Sequence, residues 1–145
     1  MNMNGKSEPA LISRLKQNIP HIEKIIKLAG DASAREYYRI ITCSGPLVAM
    51  VYPTGNAGEI ERIRTYTSLF RSNGLHVPEI IDQIGDNILI QEDVGDISLQ
   101  KYLSEASEDD LLKVKVEIQS ILERLKSIPP DRTGYIMDKT KIEFE

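Results

Sequence analysis

Apolar residues recur with the period of an α-helix in three parts of the chain. The first stripe lies near the amino terminus and consists of Leu11, Ile12, Leu15 and Ile19. Ser7 is the expected N-cap of this helix, and Pro20 ends it. The second stripe consists of Ile60, Ile63, Thr67 and Phe70. Gly74 is well placed to close that helix in a left-handed conformation.

The third helical stripe follows Ser107, and a shorter helix is expected to begin near Ser98. The apolar residues that we expect to form the buried face of the third helix are Leu111, Val114, Ile118, Ile121, Leu122 and Leu125. Ser107 and Asp110 resemble a capping box at its start, although Asp replaces the usual Glu or Gln. Pro129 and the proline after it break this helix.

Between the helices lie segments with the composition of β-strands. Those before the second helix are joined by tight connections, which predicts an antiparallel meander of residues 22–28, 36–42 and 47–52. Residues 79–84 and 88–92 flank Gly85-Asp86-Asn87, a turn sequence that tolerates positive φ and predicts a hairpin. The order of elements predicts an α+β fold, a five-stranded antiparallel sheet with one helix inserted after the third strand.

The composition is that of a globular protein, with 41% hydrophobic and 28% charged residues among 145. A net charge of -4 argues against a dedicated nucleic-acid binder. The single Cys43 excludes an internal disulfide, and with two histidines in the chain it argues against a structural zinc site. No stretch approaches the roughly 20 apolar residues of a membrane span, and the polar start lacks a secretory signal. We therefore expect a cytoplasmic protein without a membrane partner.

The segment Gly30-Asp31-Ala32-Ser33-Ala34-Arg35 is the first candidate for chemistry. A loop of small residues between strands lets backbone N–H groups approach phosphates, and Arg35 would add positive charge. The same segment can also be an ordinary β-turn in which Asp31 bonds its own backbone. Composition alone favours the turn.

A longer string of residues changes this interpretation. Gly30-Asp31-Ala32-Ser33 is followed by Arg35 and by Tyr37-Tyr38-Arg39, and together they resemble the glycine-loop region of the aminoglycoside-phosphotransferase family. The resemblance spans roughly residues 22–103 and continues through Leu47-Val48-Ala49-Met50, the helix around Glu61, residues 74–79 and residues 88–96. The branch that it resembles is bacterial and includes kinases that phosphorylate the anomeric hydroxyl of N-acetylmuramate and related amino sugars.

The resemblance implies a protein-kinase-like amino-terminal lobe over residues 1–92, a hinge over 93–97 and the start of an incomplete helical carboxy-terminal lobe over 98–145. The loop residues that would cover the phosphates of ATP are Gly30, Asp31, Ala32 and Ser33. Backbone groups of Glu92 to Val94 would hold the adenine edge, with Gln91 beside them. Mg²⁺ would be held mainly by the missing lobe.

Glu61 would occupy the helix position that in many kinases pairs with a strand lysine holding the α- and β-phosphates. This sequence has Met50 where that lysine should stand, so the phosphate contact falls to Arg35 or Arg39, of which Arg35 lies closer to the loop. Alternatively, Glu61 is a solvated carboxylate that pairs with Arg64 or its neighbours.

Kinases of this family carry a catalytic-loop aspartate and a metal-binding aspartate in the carboxy-terminal lobe, and nothing after Pro130 matches either. We therefore expect a fragment, a truncated gene product or one piece of a split protein, without turnover on its own. A sugar-like substrate would bind only in the complete protein.

The alternative is a non-catalytic nucleotide-binding or protein-interaction module that keeps only this lobe. A gene that continues in frame beyond Glu145 into a catalytic loop would favour the enzyme. A natural stop codon there, with a stable product and a partner, would favour the module. Under either interpretation the third helix has few partners, so we expect exposed apolar surface and self-association, or disorder after Pro129. Cys43 and His76 are interpreted as incidental.

Overall fold

A computed structural model describes residues 7–29, 34–53 and 57–129 of the chain. Its elements are α1 (Ser7–Asn18), β1 (Ile22–Lys27), β2 (Glu36–Thr42), β3 (Gly45–Val51), α2 (Ala57–Ser72), β4 (Ile80–Ile84), β5 (Ile88–Glu92), α3 (Leu99–Glu105) and α4 (Glu108–Ser127). The predicted order of elements and the α+β class are confirmed.

The five strands form one antiparallel sheet in the order β1-β2-β3-β5-β4. The chain leaves the sheet after β3, forms α2, and returns as the hairpin β4–β5, whose second strand pairs with β3. In the register, Tyr38 of β2 lies opposite Ala49 of β3, which lies opposite Ile90 of β5. Because side chains alternate along a strand, this register assigns the residues of β2, β3 and β5 to one of two faces.

One face of the sheet packs against α1. Leu11, Leu15 and Ile19 lie on one side of that helix and join a buried cluster with residues of the sheet, which are Tyr38, Ile40, Ala49, Ile84, Ile88 and Ile90. Leu15, Ile40, Ala49 and Ile88 are completely buried. Burial of each large aliphatic side chain contributes about 1.5–3 kcal/mol. The predicted apolar stripe of α1 therefore provides much of the core.

The opposite face carries a second, smaller cluster. It consists of Met50 and Leu89 from the sheet, Tyr52 directly after β3, and Ile60 from α2, all buried. Ile63, three positions after Ile60, is partly buried against the same cluster. The start of α2 is thereby fixed on the sheet face opposite α1.

The β4–β5 turn is also fixed to the rest of the sheet. Gly85 adopts a φ of +64°, as the turn sequence predicts. The buried Asn87 exchanges hydrogen bonds with Tyr52, donating from Nδ2 to the Tyr52 carbonyl at 3.2 Å and accepting the Tyr52 N–H at 2.8 Å. Arg14 of α1 donates to Asn87 Oδ1 at 3.1 Å. The turn therefore joins α1 to the end of β3.

Three predicted boundaries are corrected. β3 begins at Gly45 rather than at Leu47, because Gly45 at a φ of +124° permits a shorter turn than the predicted one. α2 begins at Ala57, three positions before Ile60, the first residue of its predicted apolar stripe. Ser7, expected to precede α1, lies within the range Ser7–Asn18 of that helix.

The chain divides into two compact units. The first comprises Met1–Arg64 and Pro78–Val94, and contains the sheet. The second comprises Thr65–Val77 and Gly95–Glu145. The lobe and hinge boundaries predicted at residues 92 and 98 stay a prediction.

In the second unit, α2 ends in a Schellman motif. Gly74 has a φ of +74° and donates its N–H to the Arg71 carbonyl at 3.0 Å, while Leu75 donates to the Phe70 carbonyl at 2.9 Å. Arg124 Nη1 of α4 donates to the Gly74 carbonyl at 2.5 Å. The predicted role of Gly74 is confirmed.

The cap predicted at Ser107 is present, and α3 begins beside Ser98 as expected. Ser98 and Ser107 cap α3 and α4, each accepting a backbone N–H with its hydroxyl oxygen. The Ser107 hydroxyl also donates to Asp110 Oδ2 at 2.7 Å, and this bond, with Lys113, lowers the pKa of Asp110. No described helix is both long and apolar enough to cross a membrane.

The buried face predicted for α4 is wrong, since none of the residues of this helix is buried. Leu112 is 63% exposed and Val116 is 68% exposed. Within the predicted stripe Val114 is partly buried, and the exposed fraction runs from 37% to 50% for Leu111, Ile118, Ile121, Leu122 and Leu125. The helical period identified an amphipathic helix, but the period does not specify what covers its apolar side.

Replacement of Gly74 by alanine should lower the free energy of unfolding by about 1–2 kcal/mol, because a Cβ is strained at a positive φ. The added Cβ would also lie 3.0 Å from Arg124 Nη1. Gly58→Ala is the matched control, since that helical position has open space and should gain up to about 1 kcal/mol. Urea denaturation of both variants checks this, and equal stabilities would contradict the Schellman assignment.

Self-association through exposed apolar surface stays a prediction. If α4 mediates it, the sedimentation coefficient of the wild-type chain should rise with concentration, and Val116→Lys should reduce that rise. Gln119→Lys adds the same charge at an exposed polar position of α4 and is the control. A wild-type monomer at all concentrations would contradict the prediction.

Candidate functional site

The predicted site residues lie in different parts of the first unit. The loop residues Gly30, Asp31, Ala32 and Ser33 are outside the described part of the chain. Arg35 directly precedes β2, Arg39 lies within β2, and Glu61 is on α2. Gln91 and Glu92 are the last residues of β5, with Val94 two residues beyond its end.

The sheet register brings several of these residues to one face. Arg39 lies opposite Val48 of β3, which lies opposite Gln91 of β5. Tyr37, Met50 and Leu89 form the neighbouring row on the same face. This is the face on which α2 packs, and it connects the loop end of β2 to the hinge end of β5.

Met50 occupies the position where the resemblance predicts a lysine, and its surroundings suit a thioether. The side chain is buried beside Tyr52, Ile60 and Leu89. The Tyr52 hydroxyl donates to Met50 Sδ at 2.9 Å. An ammonium group here would lose hydration among largely apolar neighbours, so the local structure favours an uncharged side chain.

Tyr52 in turn supports a cation. The guanidinium carbon of Arg35 lies 5.9 Å from the centroid of the Tyr52 ring, within the range of a cation–π interaction. The ring is 2% exposed, and burial raises the pKa of the Tyr52 hydroxyl although Arg35 acts in the opposite direction. The structure therefore places a positive charge beside the entrance of β2, over a neutral aromatic ring.

Glu61 is exposed on α2, whereas the preceding residue, Ile60, is buried against Met50. Arg64, its predicted alternative partner, donates to Gln83 Oε1 at 3.4 Å. The role of Glu61 in nucleotide binding stays a prediction.

Arg39 has a partner that the sequence did not indicate. Its Nε and Nη2 atoms donate to the two carboxylate oxygens of Asp93, at 2.5 and 3.0 Å. The Arg39 side chain is 16% exposed and that of Asp93 is 5% exposed. Asp93 therefore belongs to the candidate site, where it binds Arg39. The strand register could have identified it, because Asp93 lies two residues beyond Gln91 and hence on the same face as Arg39.

The segment predicted to be the hinge is also held on the side of β4. The Glu92 N–H donates to the Glu79 carbonyl at 2.9 Å, and the Glu79 N–H donates to Glu92 Oε2 at 3.2 Å. After these contacts Val94 is 71% exposed, and Gly95 turns the chain with a φ of +84°. The backbone N–H of Glu92 is therefore hydrogen-bonded to β4, whereas Val94, two residues later, is exposed to solvent.

A separate cavity of about 350 Å³ lies beside α1 and contains none of the predicted site residues. It is lined in part by Leu11, Arg14, Glu36 and Asn87. Because Arg14 already donates to Asn87 Oδ1 and to the Ile84 carbonyl, its guanidinium has a structural role there.

The residues that the structure describes include no group of three or more His, Cys, Asp or Glu side chains arranged to hold a metal ion. Cys43 is an exposed thiol at the β2–β3 turn, and His76 is exposed between α2 and β4.

Comparison with known proteins identifies one family. The model of the phosphotransferase enzyme family matches residues 24–140, which includes the loop, the hinge and most of the helical segment. No curated protein and no solved structure matches the chain significantly. The family resemblance read from the sequence is confirmed, while its branch, with amino-sugar anomeric hydroxyls as acceptors, stays a prediction.

Replacement of Tyr52 by phenylalanine should show how much the buried hydroxyl contributes to stability. At neutral pH the variant should lose about 1 kcal/mol of unfolding free energy with the bond to Met50 Sδ. Folding raises the pKa of Tyr52, so its hydroxyl stabilises the folded wild-type chain fully at pH values below the unfolded pKa of about 10. This stabilisation is lost as the pH rises through the pKa of Tyr52 in the folded chain. Phenylalanine has no such dependence.

Urea denaturation at pH 8 and at pH 10.5 measures both effects. The gap in unfolding free energy between wild type and Tyr52→Phe should narrow at the higher pH. Tyr102→Phe, at a 43% exposed position, is the control for loss of a hydroxyl. A gap that is the same at both pH values would contradict the burial argument.

Proposed function

We propose, since the chain belongs to the phosphotransferase enzyme family, that its sheet binds ATP for transfer of the γ-phosphate to a hydroxyl group of a small, sugar-like or aminoglycoside-like molecule. Members of this family generally use ATP and Mg²⁺. The proposal places the nucleotide on the face of the sheet that carries Arg35, Arg39 and Gln91, within a cytoplasmic protein.

The observation that carries the proposal is the position of two arginine side chains, one directly before β2 and one within it. Arg35 lies at the loop end, and Arg39 lies in the row that leads to the hinge. The two residues are four positions apart, which is roughly 13 Å at about 3.3 Å per residue. This spacing suits a ligand with a base at one end and a phosphate chain at the other.

Arg35 is the proposed phosphate contact in place of the strand lysine. Met50 is uncharged and buried, and the guanidinium of Arg39 is bound by Asp93. A guanidinium is planar and weakly hydrated, and it binds phosphate oxygens through paired N–H groups. Backbone N–H groups of Gly30, Asp31, Ala32 and Ser33 complete the proposed phosphate site.

Base recognition is assigned to the hinge. Since the Glu92 N–H already donates to Glu79, the proposal gives the adenine edge to backbone groups nearer Val94, where the chain is exposed. Gln91 borders the same face. Such recognition through backbone groups is compatible with a side-chain sequence that carries no motif for the base.

The proposal includes no turnover by this chain alone. Its sequence contains no match to the catalytic-loop or metal-binding aspartates of the family, and the described residues include no group of three or more His, Cys, Asp or Glu side chains arranged to hold a metal ion. The buried Met50 favours the second candidate, a non-catalytic nucleotide-binding or interaction module. The enzyme would be favoured if the chain binds ATP and if a sugar is phosphorylated once a second polypeptide supplies the catalytic-loop and metal-binding aspartates.

Calorimetric titration of ATP, with and without Mg²⁺, into the purified chain tests the nucleotide site. We expect saturable binding that weakens about tenfold in Arg35→Ala, the loss expected when a charged hydrogen-bond donor is removed. Arg62→Ala is the control, because Arg62 is an exposed arginine of α2 whose contact with Glu59 is 4.0 Å long. Absence of wild-type binding at millimolar ATP would overturn the proposed nucleotide site.

A further inference from the structure

The ion pair between Arg39 and Asp93 connects parts of the fold that the backbone does not pair. Arg39 is in β2 and Asp93 is the first residue after β5, with β3 between them. Adjacent strands lie about 4.8 Å apart, so the pair bridges roughly 10 Å across β3. Only a long side chain can make this contact from β2.

The geometry of this ion pair fixes the relative orientation of the two side chains as well as the distance between them. Two parallel N–H···O bonds of 2.5 and 3.0 Å join the guanidinium to the carboxylate. A bidentate pair of this kind holds both planar groups in one orientation, which a single point contact does not do. With side-chain exposures of 16% and 5%, the pair is largely removed from water.

The location of the pair is as informative as its geometry. Glu92 is held by Glu79 on the β4 side, and Asp93 is held by Arg39 on the β2 side. The exposed Val94 follows directly. Two successive residues are thus fixed from opposite directions immediately before the accessible hinge backbone. Buried ion pairs contribute little net stability compared with apolar packing, and their best-attested use is to specify one arrangement.

We infer that Arg39 and Asp93 are positioning residues for base recognition, which orient the hinge backbone next to Val94, and that Arg39 is not a phosphate ligand. This inference rests on the proposed nucleotide site. It divides the basic residues of β2 and its entrance between two tasks: Arg35 acts on the phosphate chain, and Arg39 acts on the base through Asp93 and the hinge. Preorganisation by supporting contacts of this type sets how well a site binds.

Separate titrations of the two ends of the nucleotide test the assignment. The ¹⁵N-labelled chain is titrated with adenosine and, independently, with inorganic triphosphate, and dissociation constants are taken from amide shifts. In Arg39→Lys and in Asp93→Asn, adenosine should bind about tenfold more weakly, a loss of about 1.4 kcal/mol, while triphosphate should change less than about twofold. Arg64→Gln is the matched control, since this exposed arginine makes one long bond of 3.4 Å to Gln83.

Arg39→Lys keeps the charge and fold-supporting alkyl chain, so it remains informative if larger changes at residue 39 do not fold. A loss confined to triphosphate in this variant would make Arg39 a phosphate ligand and overturn the inference. Equal binding of both ligands by wild type and variants would also overturn it, because the pair would then be structural only.

A measurement without ligand separates this inference from the proposed function. Hydrogen exchange at the Val94 and Gly95 amides should be about tenfold faster in Arg39→Lys and Asp93→Asn than in wild type, since local opening governs protection. Unchanged exchange would overturn the positioning role while leaving ATP binding intact. Failure of wild type to bind either adenosine or triphosphate would overturn the nucleotide site, and with it this inference.

Discussion

The central strand β3 pairs with β2 on one side and with β5 on the other, and the position of every candidate contact depends on that double pairing. A shift of one residue would move Val48 and Met50 to the face of α1 and bring Ala49 to the face of α2. Ala49 is completely buried opposite Tyr38 and Ile90, where the side chain must be small on the α1 side. The core under α1 thus fixes the register, and the register aligns Arg39 with Gln91.

The two faces of the sheet therefore differ in the kind of contact that they make. The α1 face is apolar, and its cluster supplies stability through burial. The other face combines apolar contacts with polar ones that are satisfied inside the structure, such as the hydroxyl of Tyr52 on Met50 Sδ and the carboxylate of Asp93 on Arg39. Polar groups removed from water carry a cost unless they are paired. These contacts therefore specify arrangement more than they add stability.

Much of the fold follows from local signals in the sequence. The hairpin turn at Gly85, the left-handed Gly74 and the caps Ser98 and Ser107 each depend on a few neighbouring residues, so a single sequence is enough to predict them. Gly45 is the local exception, because its positive φ shortened a turn that was predicted to be longer.

The candidate site was less accessible to sequence reasoning because its contacts are long-range. Asp93 and Arg39 are 54 residues apart, and their pairing requires the order of β2, β3 and β5. Tyr52 is two residues from Met50, but its contact with Arg35 depends on the pairing of β2 with β3, which places the start of β2 beside the end of β3. The α4 stripe shows the same limit, since periodicity identifies an apolar side and does not identify its neighbour.

The thioether of Met50 has a consequence for the acid–base behaviour of this part of the sheet. A lysine enclosed by Tyr52, Ile60 and Leu89 would be driven toward its neutral form, and its charge would then vary with pH. Arg35 keeps its proton under all conditions in which proteins fold, and burial keeps the Tyr52 ring beneath it neutral. The positive charge beside the loop is therefore permanent, and its strength is independent of the proton concentration of the cell.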